Sequence, residues 1–391
     1  MSVGRDFRRG GRLNAMIIRA AVLEEFGQPL AVQDVELREP EAFEVLVRLV
    51  ACGVCHSDLY TASGVDPTGH VPTVLGHEGA GVVERVGRGV TMVRPGDHVL
   101  TMFEPECGVC ADCTGKATNL CLTIRATQQQ GLLPDGTTRL MRGGDPMKHF
   151  MGTSAFAEYT VMPEIALAKI DPDAPLDLAC LFACGYSTGL GAAMVVADVR
   201  RGSTCVVFGA GLVGLGAIAG CRTQGAARVI CVDLSPKRLE LAANHGATDT
   251  VLAGSDAVGR LLEAHSGVGM DYAFEATGDV NVMRQAVECT RMGSGLCVIC
   301  GVAGRGETLD VIPRLLIEGR TITGCELGGL KGRTGVAGLV DRWLDGEFDV
   351  EGLVTLRVPL ERINDAIRAT EEHRGLRSVV LMNEGVATAA D

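Results

Sequence analysis

Residues 204–214 read TCVVFGAGLVG, the pattern of a buried strand that runs into a glycine-rich turn. An apolar helical pattern follows, and a second strand pattern at residues 228–232 ends at Asp233. A glycine-rich bend alone would carry little information. Here the G-x-G-x-x-G spacing lies between a strand and a helix, and an acid stands about 20 residues further on, as the dinucleotide fingerprint requires. The stretch therefore predicts a Rossmann unit.

The residues of this fingerprint also indicate a cofactor. The glycines Gly209, Gly211 and Gly214 let the backbone approach a pyrophosphate, and the helix beginning at Leu212 and Val213 points its N-terminus at that charge. The acid after the second strand would accept hydrogen bonds from the adenosine ribose and repel a 2′-phosphate, which predicts NAD. Two basic residues close by, Lys237 and Arg238, leave NADP open as the alternative.

Strand and helix patterns continue on the C-terminal side and predict an α/β fold with a doubly wound parallel sheet of six strands. The further predicted strands are residues 250–252, 271–276, 296–302 and 320–327, and the predicted helices are about 236–246, 256–265 and 280–291. After Gly328 and Gly329 the chain reads helix, strand, helix, strand up to Met382.

The N-terminal half has a different pattern. Residues 17–50 alternate between apolar and polar side chains and are interrupted by Gly27, Pro29 and Pro40, and residues 81–87 and 97–100 continue the pattern. It predicts a mainly antiparallel, barrel-like β domain.

Four cysteines lie close together after these strands, at Cys107, Cys110, Cys113 and Cys121. Four thiolates can surround one tetrahedral zinc ion at about 2.3 Å per bond, and they leave no position for water. The spacing therefore predicts a structural zinc site that stabilises a loop with little core of its own. The alternatives are four unrelated thiols or a redox C-x-x-C pair, and the second lacks a thioredoxin-like βαβ pattern around it.

A second metal site is indicated by residues 52–58, CGVCHSD, together with residues 76–81, GHEGAG. Cys55 and His77 are ligand types that zinc prefers, and carboxylates follow them at Asp58 and Glu78. Ser57 would place a hydroxyl near the metal, where a substrate oxygen could pass it a proton. Taken singly, Cys55 is equally a buried core thiol and His77 a satisfied loop histidine. A third ligand would come from residues 180–184, where spacing does not decide between Cys180 and Cys184.

Segments 53–81, 107–159, 184–192 and 207–233 together resemble the zinc-dependent medium-chain alcohol dehydrogenases, most closely their class III (glutathione-dependent formaldehyde dehydrogenase-like) branch. The resemblance implies a GroES-like β-barrel catalytic domain, residues 1–185 with 328–391 returning to it, and an NAD-binding Rossmann domain, residues 186–327. It implies two zinc ions per subunit, with Cys184 completing the catalytic site and Asp58 orienting His77. Zinc would act as a Lewis acid on an alcohol whose proton leaves through Ser57.

The resemblance assigns further residues. Tyr60 stands where many relatives have the histidine that ends the proton relay. Additional cofactor contacts would come from His56, Thr188, Arg238, Val302 and Arg377, although simple solvent exposure is an alternative for His56. Relatives of this type form homodimers through the edge strands of their cofactor domains, here expected around Leu296–Val302.

The substrate is the least determined feature. Class III enzymes hold S-hydroxymethylglutathione with a polar set that Arg125 and Asp66 match, whereas Thr68 and Met292 replace its second acid and its lysine. Glu104 and Glu326 stand where relatives carry apolar or small residues, and they favour a polar or cationic alcohol unless they face solvent or pair with arginines. The residues expected around the substrate are Thr68, Phe103, Glu104, Arg125, Phe150, Met151, Met292 and Glu326.

Composition narrows the class of protein. The 391 residues carry a formal charge of −12 and only 4% aromatic residues, which disfavours nucleic acid and anionic membranes as partners. Fifteen cysteines without a signal peptide favour a reducing cytoplasm, and Met1–Asn14 is expected to be a flexible extension. The main hypothesis is an NAD-dependent zinc alcohol dehydrogenase acting on a small molecule. The alternatives are an S-(hydroxymethyl)glutathione dehydrogenase and a non-catalytic protein that binds NAD and zinc.

Overall fold

The computed structural model describes residues 15–254, 259, 261 and 267–382. The predicted N-terminal extension and most of the predicted helix at 256–265 lie outside the described residues. The chain divides into two compact units. Within the described residues, the first unit comprises 15–184, 331–345 and 350–382, and the second comprises 185–254, 259, 261, 267–330 and 346–349.

Strands form the sheets of the first unit and the centre of the second. In chain order they are β1 Ala15–Leu23, β2 Ala31–Arg38, β3 Glu44–Gly53, β4 Thr73–Val74, β5 Glu78–Val86, β6 His98–Thr101, β7 Leu140–Arg142, β8 Asp145–Pro146, β9 Lys148–His149, β10 Tyr159–Pro163, β11 Leu167–Ile170, β12 Thr204–Phe208, β13 Arg228–Asp233, β14 Asp249–Leu252, β15 Tyr272–Glu275, β16 Leu296–Ile299, β17 Thr321–Gly324, β18 Val354–Pro359 and β19 Arg377–Leu381.

Helices occur in both units, and the longest of those described, of 13 residues, belongs to the segment that returns to the first unit. They are α1 His56–Ala62, α2 Ala111–Thr114, α3 Leu122–Gln128, α4 Leu176–Ala179, α5 Gly185–Gly191, α6 Leu212–Thr223, α7 Pro236–Asn244, α8 Val280–Glu288, α9 Pro313–Ile317, α10 Gly332–Leu344 and α11 Ile363–Glu371. Among the described residues no single helix has the length and apolarity of a membrane span. The consecutive stretches 176–183 and 185–196, which are bent relative to each other, together reach that length and apolarity, and this is a statement about length and composition alone.

The first unit contains two mainly antiparallel sheets, ordered β8-β7-β2-β1-β4-β9 and β11-β6-β5-β3-β19-β18, with β10 beside β3. Strand β3 is buried at nine of its ten positions because β5, β10 and β19 pair with it and apolar side chains cover both of its faces. Its neighbour β19 comes from the C-terminal end of the chain. The core of this unit includes Leu46, Leu49 and Phe156.

The second unit contains one parallel sheet, ordered β14-β13-β12-β15-β16-β17 in the described part of the chain. This six-stranded, doubly wound arrangement confirms the predicted fold. Strand β12 lies between β13 and β15, so the strand order reverses beside it, which is where open α/β sheets bind ligands. The prediction of an edge strand around Leu296–Val302 is wrong, because β16 pairs with β15 and β17 and the edge is β17.

Candidate metal and cofactor sites

The first unit brings four side chains together at one end of the β3–β5 pair. The donor atoms of Cys55, His77, Glu78 and Cys184 all lie within 4.8 Å of one another. Gly53 at the end of β3 pairs with Glu78 at the start of β5, so the residues just outside the two strands meet. Cys184 arrives from the turn that follows α4. The cluster therefore joins three segments that are distant in sequence.

The choice between the two candidate third ligands is decided by their positions. Cys184 belongs to the cluster, whereas the Cys180 thiol is fully buried and donates a hydrogen bond to the carbonyl of Asp177 at 3.4 Å. Burial also raises the pKa of Cys180, which disfavours its thiolate. Cys184 is thus the residue placed to bind a metal.

The side chain of Asp58 holds two residues of this cluster, Cys55 and His77, in position. It is fully buried, and Oδ1 lies 3.1 Å from Nδ1 of His77. The backbone N–H groups of Cys55 and Gly76 donate to the same carboxylate at 2.9 and 3.2 Å. A proton on Nδ1 shared with Asp58 leaves the Nε2 lone pair of the imidazole available to a metal.

Glu78, the carboxylate of the cluster, is also fully buried. Its Oε1 accepts a hydrogen bond from Nη2 of Arg377 at 2.8 Å, while Oε2 has no hydrogen-bond partner among the described residues. Burial raises the pKa of Glu78 to about 8. A Cβ atom at Gly53 would lie 2.1 Å from Oε2, so only glycine leaves room for this carboxylate.

The donor set fits a zinc ion. The hydrogen bond between Cys184 and Cys55, together with burial, raises the pKa of Cys184, while the same bond lowers the pKa of Cys55. Two half-buried thiols and a buried imidazole therefore compete for protons that a divalent cation would displace. Two thiolates and one imidazole leave a fourth tetrahedral position for a substrate, as in catalytic zinc sites.

Helix α1 carries the residues predicted to move the proton. Ser57 Oγ lies 3.8 Å from the sulfur of Cys55, and Tyr60 lies one turn further along and is half-buried. His56 is exposed and stacks on His373 with ring centroids 5.5 Å apart. Arg377, predicted to contact the cofactor, is 7% exposed and binds Glu78, a role that the sequence did not indicate.

Aromatic rings line the cluster on the side of His77. The rings of Phe103 and Phe150 meet the imidazole edge-on, at centroid distances of 5.4 and 5.8 Å. The amide of Gln128 donates to the carbonyls of Phe103 and Met151 at 2.6 and 2.8 Å and holds these two segments together. Gln128 had no distinguishing signal in the sequence.

Glu104 does not present an unpaired carboxylate. It is 3% exposed, and its Oε1 accepts from Nη1 of Arg125 at 2.8 Å. This corrects the use of Glu104 as support for a cationic substrate, because the charge is balanced within the protein. The alternative of pairing with an arginine holds for this residue.

The remaining substrate-pocket predictions are dispersed. The Asp66 carboxylate accepts from Thr61 Oγ1 at 2.6 Å and from the backbone and hydroxyl of Thr68 at 2.8 Å each, so local bonds engage both of its oxygens. Met292 is 63% exposed and Glu326 is half-buried, and both lie in the second unit.

The four other clustered cysteines, Cys107, Cys110, Cys113 and Cys121, also converge within 4.8 Å. The N–H groups of Cys110 and Cys113 donate to the sulfurs of Cys107 and Cys110, each at 3.4 Å. Although burial opposes it, the backbone N–H groups of Val109 and Cys110 lower the pKa of Cys107 to about 6, whereas burial raises the pKa of Cys113 to about 12. The set fits a closed tetrahedral zinc site.

The loop around this second cluster is held by residues that sequence reasoning missed. Lys331 Nζ donates to the carbonyls of Asp112 and Thr118 at 2.6 and 2.7 Å. Glu106 accepts from the backbone and hydroxyl of Thr334, each at 2.9 Å. These contacts join the loop to the returning segment at α10, and no local pattern could have indicated them.

The glycine-rich turn of the second unit has the predicted geometry. Gly209 has φ +95°, and a Cβ atom at Gly214 would lie 1.8 Å from the Gly209 carbonyl oxygen, so both positions require glycine. A Cβ at Gly211, the N-cap of α6, would meet no atom within 4 Å, which leaves space before Leu212 and Val213. This open helix N-terminus fits a pyrophosphate.

The other predicted cofactor residues also lie in the second unit. Asp233 ends β13 and accepts from the N–H groups of Ala210 and Ser235, each at 2.8 Å. The backbone N–H of Arg238 donates to Ser235 Oγ at 3.4 Å in the first turn of α7. Thr188 is 7% exposed within α5, and Val302 is 71% exposed after β16.

Comparison with known proteins accounts for both units. A model of the alcohol dehydrogenase GroES-like domain matches residues 41–172, and a zinc-binding dehydrogenase model matches residues 213–342. The S-(hydroxymethyl)glutathione dehydrogenase of Candida maltosa is 46% identical over 93% of this chain and 96% of its own length. The chain belongs to the zinc-dependent medium-chain alcohol dehydrogenase family.

Other relatives of this dehydrogenase agree. The class-3 alcohol dehydrogenase of Myxine glutinosa is 45% identical over 93% of this chain and 97% of its own length. Among solved structures, an alcohol dehydrogenase zinc-binding domain protein from Burkholderia ambifaria has a TM-score of 0.88 at 36% identity, covering 95% of this chain and all of the other. Benzyl alcohol dehydrogenase from Acinetobacter calcoaceticus has a TM-score of 0.87 at 31% identity, with coverages of 94% and 99%.

Family membership and the two cysteine clusters agree on the cofactors. The dehydrogenase is an oxidoreductase that uses NAD and binds zinc at a catalytic and a structural site. Its substrate is a small alcohol or aldehyde.

Proposed function

We propose that this dehydrogenase interconverts a free primary alcohol and its aldehyde with NAD and does so without glutathione. The observation that carries the proposal is the ion pair between Arg125 and Glu104, at 2.8 Å. Arg125 is the cation expected to bind a carboxylate of a glutathione adduct. Because Glu104 already neutralises it in a largely buried setting, binding an anionic substrate there would require breaking the pair.

The residues around the cluster have distinct parts in this reaction. Cys55, His77 and Cys184 would hold the catalytic zinc, and Asp58 orients the imidazole. When bound, zinc supplies a Lewis acid for the alcohol oxygen and NAD supplies the hydride acceptor. Ser57, whose Oγ lies 3.8 Å from the sulfur of Cys55, would accept the alcohol proton, and Tyr60 follows on the same helix face one turn later.

The lining favours an uncharged substrate. Phe103 is 9% exposed and Phe150 is 6% exposed, and both rings contact His77. These rings offer apolar contact to an aryl or alkyl group next to the reacting carbon. The prediction of a polar or cationic alcohol was based on Glu104 and Glu326. Because Glu104 is paired with Arg125, that prediction now depends on Glu326.

A second candidate is S-(hydroxymethyl)glutathione. It is favoured by the names of relatives that are 44–46% identical over 93% of this chain. Against it stand Thr68 and Met292, which replace an acid and a lysine, and the engagement of Asp66 by Thr61 and Thr68.

Initial rates of NAD reduction would separate the two candidates. Zinc-replete protein is assayed with benzyl alcohol, hexanol and choline, and with formaldehyde in the presence and absence of glutathione. We expect turnover of benzyl alcohol or hexanol that added glutathione does not change. Turnover confined to formaldehyde plus glutathione would overturn the proposal in favour of the second candidate, and choline as the best substrate would restore the cationic interpretation.

We also propose a cytoplasmic homodimer that pairs through β17. This edge strand is accompanied by exposed apolar side chains on α9 and just before it, Ile312 at 55%, Leu316 at 45% and Ile317 at 85% exposure. An unpaired strand edge beside apolar surface favours association. Light scattering should give twice the chain mass of 41.0 kDa, and an Ile317→Glu variant should shift the mass toward the monomer. A monomeric wild-type protein would contradict the dimer.

A further inference from the structure

Two cysteines outside the zinc clusters face each other at the carboxyl edge of the parallel sheet. Cys300 follows β16 and Cys325 follows β17, directly after the register pair Ile299 and Gly324. Their sulfur atoms lie 3.6 Å apart, and the N–H of Cys325 donates to the carbonyl of Ile299 at 3.2 Å. Neighbouring strand ends thus hold two thiols side by side.

A metal does not explain this pair. Among the described residues, the groups of three or more metal-ligating side chains are the two clusters already assigned to zinc, and neither contains Cys300 or Cys325. Neighbouring parallel strands lie about 4.8 Å apart, a separation that suits the Cα distance of a disulfide. Two thiols without further donors at that spacing fit a disulfide better than a metal.

We propose that Cys300 and Cys325 are a modification site: hydrogen peroxide converts them to a reversible disulfide, and that bridge weakens NAD binding. The proposal rests on the use of NAD and on the expected contact of Val302 with it, and it is independent of the alcohol substrate.

The oxidation balances with peroxide as the two-electron oxidant. The Cys325 thiolate attacks one peroxide oxygen, the O–O bond breaks, and the released hydroxide takes a proton to become water, leaving a sulfenic acid. The Cys300 sulfur then attacks the Cys325 sulfur, the S–O bond breaks, and a second water leaves with the Cys300 proton. Two thiols and one peroxide thus yield one disulfide and two waters. A dithiol reductant reverses the bridge.

The surroundings of the two sulfurs suit this chemistry. Both residues are half-buried, so a small oxidant reaches them, whereas most other cysteines of this sheet are buried. The hydrogen bond between the two sulfurs lowers the pKa of Cys325 and raises the pKa of Cys300. The first nucleophile is therefore Cys325, and Cys300 is the resolving thiol.

A disulfide between Cys300 and Cys325 would affect the cofactor-binding edge of the sheet because the backbone that follows Cys300 is tightly packed. The sulfurs must move from 3.6 Å to about 2.05 Å apart. Cys300 and Gly301 both donate to the Glu275 carbonyl, at 2.8 and 3.1 Å. A Cβ atom at Gly301 would lie 2.7 Å from Glu275 Oε2, and one at Gly278 would lie 2.6 Å from the Val302 carbonyl. A shift at Cys300 is therefore passed on to Val302.

Peptide mass spectrometry tests the bridge in the zinc-loaded protein. Trypsin places the two cysteines in fragments 292–305 and 321–331. After limited peroxide, at a dose that leaves the zinc content unchanged, we expect these fragments to be linked in the wild type and in the control Cys231→Ser, which removes a buried thiol from β13. Cys300→Ser and Cys325→Ser should each abolish the link. Separate, alkylatable thiols in the oxidised wild type, with zinc retained, would overturn the site.

Titration with NADH tests the coupling. We expect the bridged wild type to bind NADH roughly tenfold more weakly than the reduced protein, and Cys325→Ser to show no change after peroxide. Because coupling is reciprocal, saturating NADH should raise the disulfide midpoint potential by the equivalent of tenfold, about 30 mV. A linked peptide with unchanged NADH affinity and unchanged potential would overturn the effect on the cofactor.

Discussion

Asp58 Oδ1 lies 3.1 Å from His77 Nδ1, and neither side chain has more than 1% of its surface exposed. The same carboxylate accepts the backbone N–H of Cys55. One buried acid therefore positions two predicted ligands of the catalytic zinc, Cys55 just after β3 and His77 just before β5.

Replacing Asp58 by asparagine should weaken zinc binding at the catalytic site by about tenfold or more, because an amide cannot accept as strongly from both His77 and Cys55. Competition with a chromogenic chelator, followed as zinc released per chain, measures this. Asp66→Asn, which removes a carboxylate that accepts hydrogen bonds from the nearby Thr61 and Thr68, is the control and should retain its zinc. Equal zinc retention in Asp58→Asn and the wild type would show that the acid does not orient the site.

Zinc affinity at the Cys107–Cys121 cluster should rise steeply with pH. The pKa of Cys107 is about 6 and that of Cys113 about 12, with Cys110 lowered and Cys121 raised. At neutral pH the thiols of Cys113 and Cys121 are therefore protonated and must lose their protons to zinc. Raising the pH removes this proton competition, so affinity should increase about 100-fold per pH unit. Chelator competition in a Cys184→Ser background measures the structural site alone. A flat profile would contradict this distribution of protons.

The cofactor preference should depend on the charge of Asp233. Wild-type protein is expected to favour NAD strongly over NADP in kcat/KM, and Asp233→Asn should narrow that ratio by roughly tenfold or more. The asparagine retains an oxygen for the N–H of Ala210, so the turn is preserved. Glu240→Gln removes an exposed charge from α7 and serves as the control. If the ratio is the same in Asp233→Asn and the wild type, this acid does not select the cofactor.

His149 should make the first unit sensitive to acid. Burial, with a further contribution from Arg139, lowers the pKa of His149 to about 3. Between that value and about 6.5 the unfolded chain binds a proton that the folded chain does not, so stability is lost as the pH falls. The free energy of unfolding decreases by about 1.4 kcal/mol for each pH unit in this range. In thermal melts, His149→Gln should show a shallower fall in melting temperature from pH 7 to pH 5 than the wild type, whereas His70→Gln should follow the wild type. Identical slopes would contradict this assignment.

Local patterns were sufficient for the parallel sheet and for the four-cysteine cluster at 107–121. The glycine spacing at 209–214 and the acid at Asp233 are consecutive features, and the four cysteines at 107–121 lie within one loop. The choice of Cys184 over Cys180 required the tertiary structure, because it depends on which thiol the turn at 180–183 presents to β3 and β5.

Contacts between residues that are distant in the chain could not be predicted from the sequence. The bonds of Arg377 to Glu78 and of Lys331 to the cysteine loop join residues about 300 and 200 positions apart. The edge position of β17 instead of β16 and the pairing of Glu104 with Arg125 have the same cause. Each of these features depends on which segments become neighbours in the fold. The periodicity of apolar residues predicts helices and strands but does not predict their neighbours.

The ion pair between Glu104 and Arg125 gives the most direct test of the proposed substrate class. The measurement is the ratio of kcat/KM for S-hydroxymethylglutathione to that for benzyl alcohol, in the wild type, in Glu104→Gln and in the control Glu106→Gln. We expect a low ratio in the wild type and in the control. In Glu104→Gln the ratio should rise about tenfold or more, because Arg125 is released to bind a carboxylate. A high ratio in the wild type that Glu104→Gln leaves unchanged would contradict the account.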